Sequence, residues 1–218
     1  MTTILRALLE DDFKIAEQLI INGNHDEALD ENGLSALHVA TLKNNINIVH
    51  KLLAAGFDPN TRTIKDEVYD EQEMTSVNEV IQSICSLGHK TPLHIAAKYG
   101  HIEIGKLLIA YGADPNILDA GKCTPLHWSA SKGDAEFIEL LLQNKAIVNA
   151  KDLANSTPIH ESIKNHHIES VKVLLRHKCE LDIVDLSGMS AIDLAKAKPE
   201  VYNLVADFFN NTTIKTIH

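Results

Sequence analysis

Four short strings fix what this chain can fold into: Thr91-Pro92-Leu93-His94, Thr124-Pro125-Leu126-His127, Thr157-Pro158-Ile159-His160 and Ser190-Ala191-Ile192-Asp193. Their third residues, Leu93, Leu126, Ile159 and Ile192, are each 33 residues apart. Within one period, Thr91 to Asn116 reads as a complete unit. Thr91 suits an N-cap, since its hydroxyl can accept from a first-turn N–H. Pro92 follows where its missing N–H costs nothing and its fixed φ suits a helix. Leu93, Ala96 and Ala97 form a short apolar stripe, and Gly100 stops the helix. A second helix is predicted from about Ile102 to Ala110, with Ile104, Leu107 and Leu108 on one face, and Gly112 ends it. Asp114, Pro115 and Asn116 then turn the chain. Two such short helices cannot cover their apolar faces alone, so the copies must stack.

The frame extends backwards. Ser35-Ala36-Leu37-His38 is another copy, and 33 residues before Leu37 stands Ile4. There Ala7, Phe13, Ala16, Leu19, Ile20 and Gly23 match Ala40, Ile46, Val49, Leu52, Leu53 and Gly56. A period of 33 carrying T-P-L-H-x-A resembles the ankyrin-repeat family over nearly the whole chain. The resemblance implies an all-α ankyrin-repeat solenoid of six helix-turn-helix repeats joined by short hairpin-like turns. The expected repeats are residues 1–29, 30–62, 86–118, 119–151, 152–184 and 185–209, forming a single domain of residues 1–209. The first lacks the Thr-Pro start and carries Glu10 to Asp12 and Lys14, as suits a terminal repeat with one face in water. In the last, Pro199 opens the second helix and Phe208 and Phe209 close it, leaving residues 210–218 as a frayed tail.

The period breaks once. Leu37 and Leu93 are separated by one period and 23 residues more. The extra segment is 63–85. Its first part, Thr63–Ser76, holds Asp66, Glu67, Asp70, Glu71 and Glu73 against Lys65 alone. Its second part reads as a helix, with a Ser76/Glu79 capping box, a stripe of Val77, Val80, Ile81 and Ile84, and Gly88 to end it. The acidic part, Thr63–Thr75, is expected to be mobile, and Val77–Leu87 to be helical and packed on the repeats; one candidate place is the gap left by Gly105, which Tyr99, Tyr111 or the insertion helix could fill. Tyr69 lies in an acidic setting similar to tyrosine-kinase acceptor sites.

Departures from the repeat pattern predict local differences. Gly33 and Gly188 occupy the turn before the first helix, and Asn155 replaces them once. His89 and Lys122 stand there in two other repeats, each one residue after a glycine, so those turns are expected to be built differently. The glycine after the second helix, Gly23, Gly56 and Gly112, gives way to Lys145 and Lys178. A non-glycine residue held left-handed costs on the order of 1 kcal/mol, which predicts weaker late repeats.

Chemistry finds little support. His38, His94, His127 and His160 sit at the third position of successive first helices. From there an imidazole bonds back toward the N-cap or the neighbouring turn; the resemblance implies that it ties adjacent turns together. With Thr91, Thr124 and Thr157 they are expected to be structural. His166 and His167 are adjacent and do not share a helix face. Cys123 and His127 are four apart, but a turn-edge thiol beside a capping histidine lacks an orienting base and a shaped pocket. No phosphate loop, nucleophile elbow or zinc box appears. No catalytic residue, cofactor or metal is expected, and an enzyme is the disfavoured alternative.

A net charge of -10 argues against nucleic acid or an anionic membrane as partner. Three cysteines, Cys85, Cys123 and Cys179, in no metal spacing suit a reducing compartment. The charged opening is unlike a secretion signal, and no apolar run reaches membrane-spanning length. A monomer in the cytoplasm is expected.

What remains is protein binding. The resemblance implies recognition through the concave face, made of turn tips and inner-helix ends. Those ends carry Lys43, Lys98, Lys132, Lys164 and Lys198, one per repeat, a ladder suited to an acidic partner. Trp128, the sole tryptophan, and Tyr99 are candidate anchors. The function expected is a non-catalytic interaction module. The alternative is an adaptor, or scaffold, that uses the concave face for one protein and the 63–85 insertion for another. Enrichment in Asn, Ile and Lys hints at an AT-rich genome, and so at an effector secreted by an intracellular bacterium, which would place the chain in host cytoplasm.

Overall fold

The computed structural model of the protein describes residues 3–23, 29, 33–63 and 88–214. Among these residues twelve helices form in six pairs. The pairs are α1 (Ile4–Leu9) with α2 (Phe13–Ile21), α3 (Ala36–Leu42) with α4 (Ile46–Ala54), and α5 (Pro92–Tyr99) with α6 (Ile102–Ala110). There follow α7 (Pro125–Lys132) with α8 (Ala135–Gln143), α9 (Pro158–Lys164) with α10 (Ile168–Arg176), and α11 (Ala191–Lys196) with α12 (Pro199–Ile214). The architecture is all-α, as the sequence predicts; one isolated antiparallel bridge, Val184 to Ser190, marks a hairpin-like turn. Internal contacts divide the chain into two compact units, Met1–Gly121 and Lys122–His218.

In the first unit α3 packs on α1 and on α5, and α4 on α2 and α6. The first and second helices of each pair thus form two rows. The insertion leaves both rows unbroken, since α3 lies directly against α5. In the second unit α9 packs on α7 and α11, and α10 on α8 and α12. The third residue of the repeated string supplies the core in four copies: Leu37, Leu93, Leu126 and Ile159 are at most 1% exposed, while Ile192 of the last copy is half-buried. Alanines Ala40, Ala96, Ala130 and Ala195, all fully buried, let neighbouring helices approach closely.

The repeated string works as a start signal built on its histidine. The backbone N–H of Thr91 donates to Nδ1 of His94 at 3.1 Å, and the Thr91 hydroxyl lies 2.8 Å from the same nitrogen. Thr124 with His127 and Thr157 with His160 repeat the arrangement, as does Ser35 with His38. Because Nδ1 accepts, the proton sits on Nε2. That N–H donates to a carbonyl of the following turn: Lys90 from His38, Ser156 from His127 and Ile183 from His160. One side chain thereby caps its own helix and fastens the next repeat. In the last pair Asp193 takes the position, accepting from the Ser190 N–H and hydroxyl. A carboxylate completes the cap there, and among the described residues no later turn calls for the second bond.

Three expectations are corrected. His89 and Lys122 do not belong to differently built turns. They adopt the left-handed conformation themselves, φ 64° and 57°, as do Gly33, Asn155 and Gly188. The turn geometry imposes the angle and the side chain accepts the strain. The tail expected at 210–218 is helical to Ile214, because α12 runs on past Phe209; no glycine or proline interrupts it, and an established helix propagates at little cost. Thr63, expected to open the mobile stretch, is fully buried. Its N–H donates to the Lys90 carbonyl at 3.0 Å, and its hydroxyl accepts from the Lys90 N–H at 3.0 Å. The rest of the insertion, with its expected helix and Tyr69, lies outside the described residues.

Lys145 and Lys178 are left-handed, φ 68° and 58°, as predicted.

Candidate partner-binding surface

The lysines at the first-helix ends have different surroundings. Lys43 caps α3, is only 11% exposed in its side chain, and forms an ion pair with Asp11. The Lys98 ammonium stands 5.7 Å from the centre of the Tyr99 ring. That ring stacks on His101, centroids 5.9 Å apart, and burial raises its phenol above the ordinary pKa. Lys132, the last residue of α7, is exposed and forms no ion pair among the described residues. Lys164 closes α9 between two carboxylates, 3.6 Å from Glu161 and 3.5 Å from Asp185. Lys198 donates to the Lys164 carbonyl at 2.7 Å. The charge of Lys43 and Lys164 is offset where it stands, so among the described residues the second unit's lysines of this set without a carboxylate partner are Lys132 and Lys198.

Trp128 is half-buried on α7 and borders a pocket of about 150 Å³, completed by Cys123, His127, Ser131, Asp152 and Glu161. Two successive repeats build it. Cys123 to Ser131 come from one start signal and its helix, Asp152 from the next turn, and Glu161 from the next first helix, one period after Trp128. Each wall is fixed. His127 is held at both ring nitrogens. Asp152 Oδ1 accepts from the Ala154 and Ser156 N–H groups, both at 2.8 Å. Glu161 Oε1 accepts from the Ser156 hydroxyl at 3.0 Å, and Lys164 Nζ donates to that hydroxyl at 3.2 Å. Asp185 repeats the Asp152 turn, bonding the Ser187 and Met189 N–H groups; those bonds hold its carboxyl below the usual range, with Lys164 adding to the effect.

Beside this pocket the turn tips are unexpectedly apolar. Leu153, Val184, Leu186 and Met189 are exposed by 59%, 49%, 76% and 37%. Adjacent tips are joined by the Leu186 N–H bonding the Ala154 carbonyl. The sequence reading passed over these residues, and over Asp152. Their signal was there as large apolar side chains between helices, where turns are ordinarily polar. Rigid turns that present apolar groups and a half-buried tryptophan can bind a surface. Among the described residues no group of three His, Cys, Asp or Glu is placed to hold a metal ion, and no helix is long and apolar enough to cross a membrane.

Comparison with known proteins follows the same lines. A model of three ankyrin repeats matches residues 68–152 and 93–185, and a single ankyrin repeat matches residues 32–64. A curated relative, Palmitoyltransferase AKR1 of Lachancea kluyveri, is 30% identical over 107 residues, which are 49% of this chain and 11% of that protein. The chain thus spans about a tenth of that relative's length.

Proposed function

Because the chain belongs to the ankyrin-repeat family, we propose that it is a non-catalytic protein-binding module whose partner docks on the turn tips and inner-helix ends. The observation that carries this reading is the Trp128 pocket beside the exposed Leu153, Leu186 and Met189. Interface hot spots favour tryptophan seated in a pocket and ringed by contacts that exclude water, and exposed apolar groups in contiguity mark interaction sites. In the second unit Lys132 adds positive charge for an acidic region of the partner. The module acts as a monomer in the cytoplasm, or in host cytoplasm if the chain is a secreted effector.

The test is a pull-down with wild type, Trp128→Ala and the pair Leu153→Ser with Leu186→Ser, each checked for an unchanged melting curve. A protein retained by wild type and lost with both variants supports the reading; a retained protein indifferent to both overturns it. Lys132→Glu then asks about charge, and should weaken capture while flattening its salt dependence. A second reading, an adaptor, rests on the insertion emerging from a closed turn at Thr63 and Lys90. Deleting 64–86 separates the two: loss of one partner with retention of another supports the adaptor. The palmitoyltransferase activity named for the relative is not proposed for this chain, whose match covers 11% of that protein.

A further inference from the structure

The Trp128 pocket has a chemistry more specific than that of a general apolar anchor. Its lining holds one indole and two carboxylates and no cation. Asp152 spends Oδ1 on its own turn and Glu161 spends Oε1 on Ser156. Among the described residues Oδ2 of Asp152 and Oε2 of Glu161 accept no hydrogen bond. Lys164 Nζ stands 3.6 Å from Glu161 Oε1 and 3.5 Å from Asp185 Oδ2. Three carboxylates against that one ammonium leave two negative charges in excess, in a chain whose inner-helix ends otherwise carry lysine.

From this we infer that the pocket receives one arginine side chain of the protein partner, an inference that rests on the binding reading above. A guanidinium is planar, stacks on an indole face and presents several N–H donors in a fixed fork. Stacked against Trp128 it gains a cation–π contact, and its donors meet the two open carboxylate oxygens as charge-assisted bonds. The size agrees, since a cavity of about 150 Å³ accommodates a group as large as benzene, and a guanidinium with its adjoining methylenes is comparable. Partly buried carboxylates hold such a cation more firmly than surface ones, because water screens them less. The side chain would enter as the single basic anchor of a segment whose apolar neighbours cover Leu153 and Leu186.

Trp128 reports on this site directly, because it is the only tryptophan. The probe is N-acetyl-arginine amide, titrated through the millimolar range while tryptophan emission is followed, with N-acetyl-norleucine amide and N-acetyl-phenylalanine amide as uncharged counterparts. The expected result is a saturable emission change with the arginine compound alone, weakened by added salt. Glu161→Gln and Asp152→Asn keep the bonds to Ser156 and to the turn, and each should weaken binding by about tenfold with an unchanged melting curve. Equal responses to the uncharged compounds, or an arginine response untouched by both substitutions, overturn the inference. So does the absence of any response while Trp128→Ala still abolishes capture in the pull-down; in that case protein binding stands and the pocket chemistry falls. A specific arginine response with no effect of Trp128→Ala on capture supports the pocket chemistry and overturns the docking surface.

Discussion

The Nε2 of His38 lies 2.9 Å from the carbonyl oxygen of Lys90, although 52 residues separate them in the chain. Lys90 is held from the other side by Thr63, so the two ends of the insertion meet at one buried point. The same bond joins His127 to Ser156 where no insertion intervenes. The inserted residues therefore enter and leave through a turn that is already closed.

Deleting residues 64–86 should preserve the fold. It puts Thr63 four residues before Lys90, the separation of Asp152 from Ser156, whose backbones bond in the same way. Loop closure changes only slowly with length, by about 0.6 kcal/mol per doubling. The deleted protein should unfold at the same temperature or a few degrees higher by circular dichroism. A collapse of the melting transition would show that the inserted residues are part of the core.

The His160 clamp should make stability depend on pH. In His160, burial and then the charge of Lys164 lower the pKa below its ordinary value. The folded state thus binds fewer protons than the unfolded state around pH 6, and stability rises with pH there. The contribution is complete above about pH 6.5 and is lost as pH falls through the lowered folded value. Protonation of Nδ1 also removes the acceptor for the Thr157 N–H. Urea denaturation at pH 7.5 and 5.5 should show a smaller loss in His160→Gln than in wild type, and at pH 7.5 the variant should cost about 1–3 kcal/mol through its unsatisfied buried partners. Identical losses in both proteins would remove His160 as a source.

Much of this was readable in advance, and the rest was hidden for physical reasons. The Thr-Pro-Leu-His strings announce the helix starts because cap, proline and histidine act within four residues. The left-handed turns at His89 and Lys122 gave no sign, since a tertiary setting imposes φ on a residue type that does not prefer it. Thr63 reads as the start of a mobile stretch because its partner Lys90 lies beyond the insertion. Elsewhere an aspartate, Asp152 or Asp185, does its work next to its partners. Trp128 could be singled out, but its pocket could not, because Asp152 and Glu161 arrive from the next turn and the next helix.

Two glycines with the same backbone should respond differently to alanine. Gly112 and Gly133 both have positive φ, 91° and 84°. A Cβ on Gly112 meets nothing within 4 Å, whereas on Gly133 it falls 2.5 Å from Nδ1 of the His167 ring. That ring is held by a 3.0 Å bond from Nε2 to the Ser131 carbonyl. Gly112→Ala should cost about 1 kcal/mol from backbone strain, and Gly133→Ala more. His167→Ala should recover part of the second cost and none of the first, a coupling that a double-mutant cycle measures. Equal costs, with no coupling to His167, would mean that the ring moves aside freely.

Lys178 offers a gain by the same reasoning. It is exposed and left-handed, φ 58°, directly after α10 and its cap, where earlier repeats have Gly56 and Gly112. Lys178→Gly relieves the strain, while the greater freedom of glycine in the unfolded chain offsets part of it. A net stabilisation of about 0.5 kcal/mol is expected by urea denaturation; destabilisation would mean that the lysine side chain contributes more than its backbone costs.

Thiol reactivity should follow burial. Cys179 is 9% exposed, and its burial pushes the thiol pKa up to about 12, so almost none of it is thiolate at neutral pH. Cys123 is half-buried at the edge of the Trp128 pocket. Iodoacetamide at pH 7.5, followed by peptide mass spectrometry, should modify Cys123 well before Cys179, and denaturant should bring the two rates together. If Arg binding is as inferred, N-acetyl-arginine amide should also slow the Cys123 reaction while leaving Cys179 unaffected. Modification of Cys179 at the rate of Cys123 in the native protein would show that α10 and the turn after it open far more readily than their packing implies.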